Sequence, residues 1–432
     1  MQLLKNNVVI VITLLIGLNY AQQKPIGTLS IADCVAMALK NNPQLKGLEG
    51  VLQNGRGNLM ASRAGQLPQL NFQTQIYGNN GSGISSPSYS SSYSANLQVQ
   101  QLIYDFGKTS SKVSSAQSLY NAAQYDSATT IQNLITSTFM AYINLLESRS
   151  VVQINREALK QTEDHLNKAQ ILYDAGRGLK YDVVKASVDK ANADLNLSKS
   201  RNAERISLLQ LQNLTGEIID SAVLLVDTVF IRSDLPPADS AIIMALQNRS
   251  ELQSLNMKLQ STNARLTSAK RARLPSLTAT GSYGYKVSDF ALENLPPSWN
   301  IGAILSVPLF TGGAQKGAIE QADGEIKNVE ASLITARQAI ILDVQQQLSS
   351  CTEAIERVDI SDKAIEKAKL ALSLAQERYY VGSGNAIEVS DAEIAFENSK
   401  IAQIQARCDY RIAKFKLSRA MGINLFTNTK ME

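Results

Sequence analysis

From Leu70 onward the chain alternates apolar and polar positions, with Leu70, Phe72, Thr74 and Ile76 on one parity and Asn71, Gln73 and Gln75 on the other. A period of two marks a strand with two unlike faces. After a Gly/Ser-rich stretch from Gly78 to Ser92, read as a loop, a second run sets Tyr93, Ala95, Leu97 and Val99 against Ser94, Asn96, Gln98 and Gln100. The plan then recurs. Leu277, Ala279, Tyr283 and Tyr285 stand against Thr278, Thr280 and Ser282, a loop passes through Pro296 and Pro297, and Ile301, Ala303, Leu305 and Val307 stand against Asn300, Gly302 and Ser306. The spacing predicts two hairpins, with strands at about 67–78, 93–104, 275–286 and 298–309. Strands of about ten residues have the length of a tilted membrane crossing.

An isolated hairpin of this kind would equally suit a half-buried soluble sheet. Two features favour the membrane. The polar parity is Asn, Gln, Ser and Thr with almost no charge, as in a water-filled lumen, and Tyr77, Tyr93, Tyr104, Tyr283, Tyr285 and Trp299 fall near strand ends, where aromatic girdles sit. Four strands cannot close a transmembrane barrel, whose smallest form has eight, so the barrel has to be shared between subunits.

The rest of the chain follows a helical period. There is no proline between Pro87 and Pro236 and no glycine between Gly107 and Gly176; after Pro308 there is no proline, and between Gly324 and Gly382 no glycine. Apolar positions such as Ile131, Leu134, Ile135 and Tyr142 recur at helical spacing. Long helices are expected at about 107–173 and 312–379, each about 100 Å long at 1.5 Å per residue. Helices of that length without breakers form coiled coils or rods. Each ends at a glycine turn, about 174–181 and 380–386, and a return helix follows.

Self-similarity joins these parts. Ala38-Leu39 matches Ala245-Leu246 and Leu67-Pro68 matches Leu274-Pro275 at an offset of 207, while Tyr104 to Gly107 matches Phe310 to Gly313, Tyr173 to Gly176 matches Tyr379 to Gly382, and Leu214 to Gly216 matches Ala420 to Gly422 at 206. Five anchors in constant order and spacing define two copies, 22–216 and 237–422, joined by a linker at 217–236 that ends at Pro236 and followed by a tail at 423–432. Residues 1–21 read as a signal peptide: Lys5 supplies the basic region, Val8 to Leu18 the apolar run, and Asn19-Tyr20-Ala21 the cleavage site.

Composition narrows the chemistry. The 432 residues carry Lys+Arg 42 against Asp+Glu 38, a net +4 that gives no electrostatic footprint for nucleic acid. One histidine removes His-based metal clusters and any His-dependent nucleophile that does not use His165, which is read as lying on a solvated helix face. Three distant cysteines, Cys34, Cys351 and Cys408, read as buried thiols rather than a disulfide framework. Gly55-Arg56-Gly57 and Gly176-Arg177-Gly178 lack the third glycine and preceding strand of a phosphate loop. No catalytic set, cofactor or metal site is expected, so an enzyme ranks last.

The order of signal peptide, two tandem copies of helix, strand, strand, long helix, glycine turn and helix, with Leu-Pro entering each hairpin, resembles the TolC-type outer-membrane efflux proteins. The duplicated tip motif, Gly176 to Asp182-Val183 and Gly382 to Glu388-Val389, carries the resemblance furthest. It implies a mostly α fold with a β-barrel portion: a homotrimer whose three chains share a 12-stranded outer-membrane β-barrel and a periplasmic α-barrel. It also implies partners, namely membrane lipid, a periplasmic adaptor and, through it, an inner-membrane pump of the RND, ABC or MFS type. The chain would then be a passive channel-tunnel for efflux or type I secretion.

On matching positions the resemblance assigns Asp182 and Tyr379 to a periplasmic gate and Glu388 and Asp391 to an acidic ring, with adaptor-contacting turns at Gly176, Arg177, Gly178, Gly382, Ser383 and Gly384. Gly384 departs from the family, whose best-known members carry Arg there; Arg177, Lys180 or Lys185 would have to substitute. Asn385 to Glu388 also has the spacing of a capping box, so Glu388 has a helix-capping reading beside the pore-lining one. The alternative for the whole chain is a periplasmic coiled-coil scaffold without a channel. Neutral linings select weakly, so the cargo is not legible.

Overall fold

The computed structural model describes residues 27–83, 86–227, 234–288, 297–381 and 383–423. The signal segment, Gly382 and the tail from residue 424 lie outside them. Among the described residues the order is β1 (Thr28–Leu29), α1 (Ile31–Asn41), α2 (Pro43–Ala64), β2 (Gln69–Gly83), β3 (Ser86–Tyr104), α3 (Lys108–Asp174), α4 (Lys180–Thr215), β4 (Leu224–Leu225), α5 (Ala238–Asn248), α6 (Ser250–Arg271), β5 (Ser276–Ser288), β6 (Pro297–Ser306), α7 (Ala314–Tyr380) and α8 (Ala386–Ala420). The two long helices, α3 and α7, each have 67 residues.

Helix boundaries have local causes. Ser30 caps α1 by a full capping box, its side chain accepting from Asp33 N–H while the Asp33 carboxylate accepts from Ser30 N–H. Pro43 opens α2, where its missing N–H costs nothing. Gly216 ends α4 in the left-handed conformation at φ 69°.

The chain divides into two compact units that cut across both repeats: Met1–Pro43, Asn133–Leu235 and Gln347–Leu417 form the first, and Gln44–Gln132, Pro236–Gln346 and Ser418–Glu432 the second. In the first, β1 and β4 form a two-residue parallel ladder, and the core gathers Cys34, Tyr142, Leu145, Leu211 and Cys408. Phe139 and Phe415 stack at 4.0 Å. The hydroxyl of Tyr142 donates toward Leu29 O at 2.9 Å and Val226 O at 2.8 Å, so one buried side chain bridges the last residue of β1 and the residue after β4.

In the second unit the strands form one antiparallel sheet in the order β2-β3-β5-β6. The expected loop at 78–92 is overturned: the β2/β3 ladder continues from Gly78↔Ser91 to Gly83↔Ser86. Ser and Gly side chains neither drive pairing nor obstruct it, and a ladder already in register extends by backbone hydrogen bonds alone. Beyond the strand ends in the same unit, small residues let α3 and α6 approach closely, with Ser115 Oγ 2.8 Å from Ser261 Oγ. Arg249, buried at the start of α6, reaches Asp343 on α7 at 2.8 Å.

Candidate functional site

Register sorts the sheet into two faces. Leu70, Phe72 and Ile76 of β2 lie opposite Val99, Leu97 and Tyr93 of β3; Leu97 continues to Tyr283 of β5, which lies opposite Trp299 of β6, and Gly281 lies opposite Ile301. This face is apolar and bare: Phe72 is 71% exposed, Trp299 73% and Ile301 80%. The other face carries Asn71, Gln73, Gln98, Asn96, Ser282 and Asn300 in the same registers. The four strands contain one charged residue, Lys286. An apolar face this wide would be an aggregation surface in water and suits a lipid boundary.

Of the six girdle residues, four come together. Tyr93, Tyr283, Tyr285 and Trp299 share the apolar face toward the hairpin end, with Tyr283 and Tyr285 in edge contact at 6.3 Å. Tyr104 lies at the helix end, 4.7 Å ring to ring from Phe106. Tyr77 falls on the polar parity, where its hydroxyl donates to Gln75 Oε1 at 3.1 Å.

The two tips share one backbone device. Arg177 and Gly178 N–H both donate to Leu172 O, and Ser383 and Gly384 N–H both donate to Arg378 O, each at 2.9 Å. Gly176 takes φ 70°. At Gly178 an added Cβ would come within 2.9 Å of Tyr173 N, which the first turn cannot take without shifting, whereas at Gly384 it would come within 3.1 Å of Tyr379 N, a tight contact that a shift of a few tenths of an ångström relieves. Gly382 lies outside the described residues.

At the positions expected to form the gate and acidic ring, Glu388 N–H donates to Asn385 Oδ1 at 2.8 Å, which is the capping reading, while the Glu388 carboxylate lies 3.7 Å from Arg378 across the turn. The basic partner in the second tip is therefore Arg378, inside the long helix, a residue sequence reasoning passed over. Asp391 and Tyr379 are exposed, and Asp182 is half-buried in the first turn of α4. Within the described chain these three side chains are not brought together. Lys185 binds Asp189 one turn on at 2.9 Å and lies 3.4 Å from Ser390 Oγ of α8.

Higher on the same helices, His165 is not on a solvated face: its Nε2 is 3.2 Å from the Glu393 carboxylate, which is nearly buried. That hydrogen bond pushes the imidazole pKa up, against the effect of its own burial. Glu397, one turn along α8, is pushed up to about 7 by burial first and by the Glu393 charge second. Glu157 and Lys400 complete the group at 3.9 Å. Linear sequence gives no sign of it, because its members come from helices in different repeats. The three thiols are free and buried, and desolvation pushes Cys408 up to about 12, outside nucleophilic use.

A sheet with one lipid-type face and one neutral polar face defines a channel-forming membrane protein with no helix long and apolar enough to cross a membrane among the described residues. The chain belongs to the outer membrane efflux protein family, whose model matches residues 34–217 and 241–423. It is 27% identical over 415 residues to the outer membrane protein TolC of Vibrio cholerae, covering 92% of this chain and 93% of that one. To the outer membrane protein TolC of Escherichia coli it is 22% identical, covering 88% and 80%. The fold is similar to the Campylobacter jejuni CmeC outer membrane channel, with TM-score 0.81 at 20% identity over 91% of this chain and 85% of that one. It is similar also to the Vibrio cholerae outer membrane protein VceC, with TM-score 0.79 at 20% identity over 91% and 96%. The protein is thus an outer-membrane efflux channel with an α-barrel and β-barrel fold, in a family of channels rather than enzymes.

Proposed function

We propose that three copies of this chain close a 12-stranded barrel and a helical tunnel, a passive duct that carries cargo from an inner-membrane pump and its periplasmic adaptor through the outer membrane. The observation that carries this reading is the sheet order. It leaves β2 and β6 as the two edges among the described strands, each with unused ladder groups that hydrocarbon cannot satisfy. Pairing β6 of one copy with β2 of the next removes every edge, and three copies supply twelve strands. The duct performs no chemistry: neutral amides and hydroxyls line the polar face, and energy comes from the pump. The tips would dock the adaptor through Arg177, Ser383 and the turns around Gly176, Gly178, Gly382 and Gly384. Asp182, Tyr379, Glu388 and Asp391 would line the closed entrance.

Purified protein in detergent should show the mass of a trimer and conduct poorly in planar bilayers. Asp182→Ala or Tyr379→Ala should raise conductance severalfold; unchanged conductance in both removes the gate assignment. Recovery in the soluble periplasmic fraction without detergent would instead favour a coiled-coil scaffold.

A further inference from the structure

The strands meet the helices at one end of the sheet, and there the chain changes character. Within ten residues of those four strand ends it carries seven cations, namely Arg63, Lys108, Lys112, Lys270, Arg271, Arg273 and Lys316, against one acid, Asp105. The stretch 78–92, at the opposite end of the β2/β3 ladder, has no charge at all. Asp105 supplies a single negative charge against seven positive ones: its buried carboxylate accepts from Gly107 N–H at 3.0 Å and Thr109 N–H at 2.7 Å and attracts Lys108. Arg271 is used internally, on Gly107 O at 3.1 Å and Ser111 Oγ at 2.9 Å. Neither α3 nor α7 has an acid in its first turn, and Lys316 meets Glu320 one turn on at 3.8 Å with both side chains largely exposed, a pairing that solvent screens.

Apolar residues are bared in the same band. Leu309 is 92% exposed and Phe310 90%, with Leu67 at 60%. Phe106 is presented at a cost: it adopts φ 55°, a left-handed conformation that strains a bulky residue, whereas the matching position in the second repeat is Gly312 at φ 60°. The first repeat thus keeps an aromatic ring where the backbone favours glycine, in edge contact with Tyr104 and exposed.

Bare apolar side chains beside an excess of cations suit neither water nor a protein core. They suit the boundary where hydrocarbon gives way to headgroups, and the band continues directly from the sheet's lipid-type face. We infer that the Lys/Arg collar at the sheet–helix junction binds anionic phospholipid headgroups of the leaflet bordering the helices, with Phe106 and Phe310 inserted beside them. The inference rests on reading the sheet as membrane-spanning.

The test uses the full chain in nanodiscs of phosphatidylcholine with or without phosphatidylglycerol, and native mass spectrometry of the lipid retained after extraction. Surface cations each strengthen attraction to anionic lipid by about fivefold. Wild type should retain phosphatidylglycerol over phosphatidylcholine by about tenfold or more, and about 0.5 M NaCl should abolish the preference. Combining Lys108→Gln, Lys270→Gln, Arg273→Gln and Lys316→Gln should bring the preference below about twofold, and Arg at the three lysine positions, with Arg273 kept, should restore it. Phe106→Gly should melt at a higher temperature, since strain is removed, yet retain less phosphatidylglycerol. Equal retention by wild type and the neutralised variant, a preference that survives salt, or a second copy of the chain protecting these residues from labelling overturns the proposal. Trimer mass and nanodisc incorporation are measured on the same samples: no incorporation defeats the membrane reading itself, whereas incorporation without anionic preference defeats this inference alone.

Discussion

His165 on α3 and Glu393 on α8 face each other at 3.2 Å, joining a helix of the first repeat to one of the second. Groups facing the pair from α3 are Glu157, Asp164 and Lys168, and from α8 Glu397 and Lys400.

This cluster sets a pH dependence. The His165 pKa is raised above 6.5, so its contribution is full below that value and is lost as pH rises through the folded pKa. Glu397 is raised from 4.5 to about 7, so the folded state holds the extra proton in that window and stability falls as pH rises through it. Both act in one direction. Glu397→Gln should match wild type near pH 5 and exceed it at pH 8 by on the order of 1–2 kcal/mol, discounted for partial exposure. Urea unfolding of both proteins from pH 5 to pH 8 measures this; a difference independent of pH contradicts it.

Tyr142→Phe leaves the ring in place but deprives Leu29 O and Val226 O of their shared donor. A loss of about 1–3 kcal/mol is expected, together with faster amide exchange at 224–226. If exchange there is unchanged, the hydroxyl is not what holds β1 to β4.

Glycine substitutions should diverge by site. Gly178→Ala drives a Cβ to 2.9 Å from backbone nitrogen and should destabilise the first tip by about 1–3 kcal/mol, seen as local proteolysis at 174–180. Gly57→Ala, in the interior of α2 with nothing within 4 Å of the new atom, should stabilise by about 0.5–1 kcal/mol. Equal effects at both would mean that the tip relaxes freely.

Arg249→Ala removes the buried guanidinium that reaches the half-buried Asp343 carboxylate at 2.8 Å. A cost of about 1–3 kcal/mol is expected, and Arg249→Ala with Asp343→Ala should recover part of it. A double variant no more stable than the single one would assign the loss to packing of the Arg stem.

What the sequence revealed and concealed divides along physical lines. Face and period were legible because Phe72, Leu97, Tyr283 and Trp299 obey one parity across four strands. The 67-residue helices were legible from the absence of breakers. The stretch 78–92 was misread because Ser and Gly are taken as loop residues, although a neighbouring strand can hold them. The two-residue strands at Thr28 and Leu224 are too short to show a period, and His165, Glu393 and Arg378 acquire their roles from partners on other helices or across a turn.

Each compact unit is assembled from three segments, and the first takes its last from Gln347–Leu417. Neither half can therefore be completed while synthesis or export is still under way. An emerging chain would carry the bare strands of β2 and β3 long before β5, β6 and the C-terminal helices exist to finish either unit. A chain built this way depends on escort: it has to be kept apart from its own copies until nearly its whole length has been delivered.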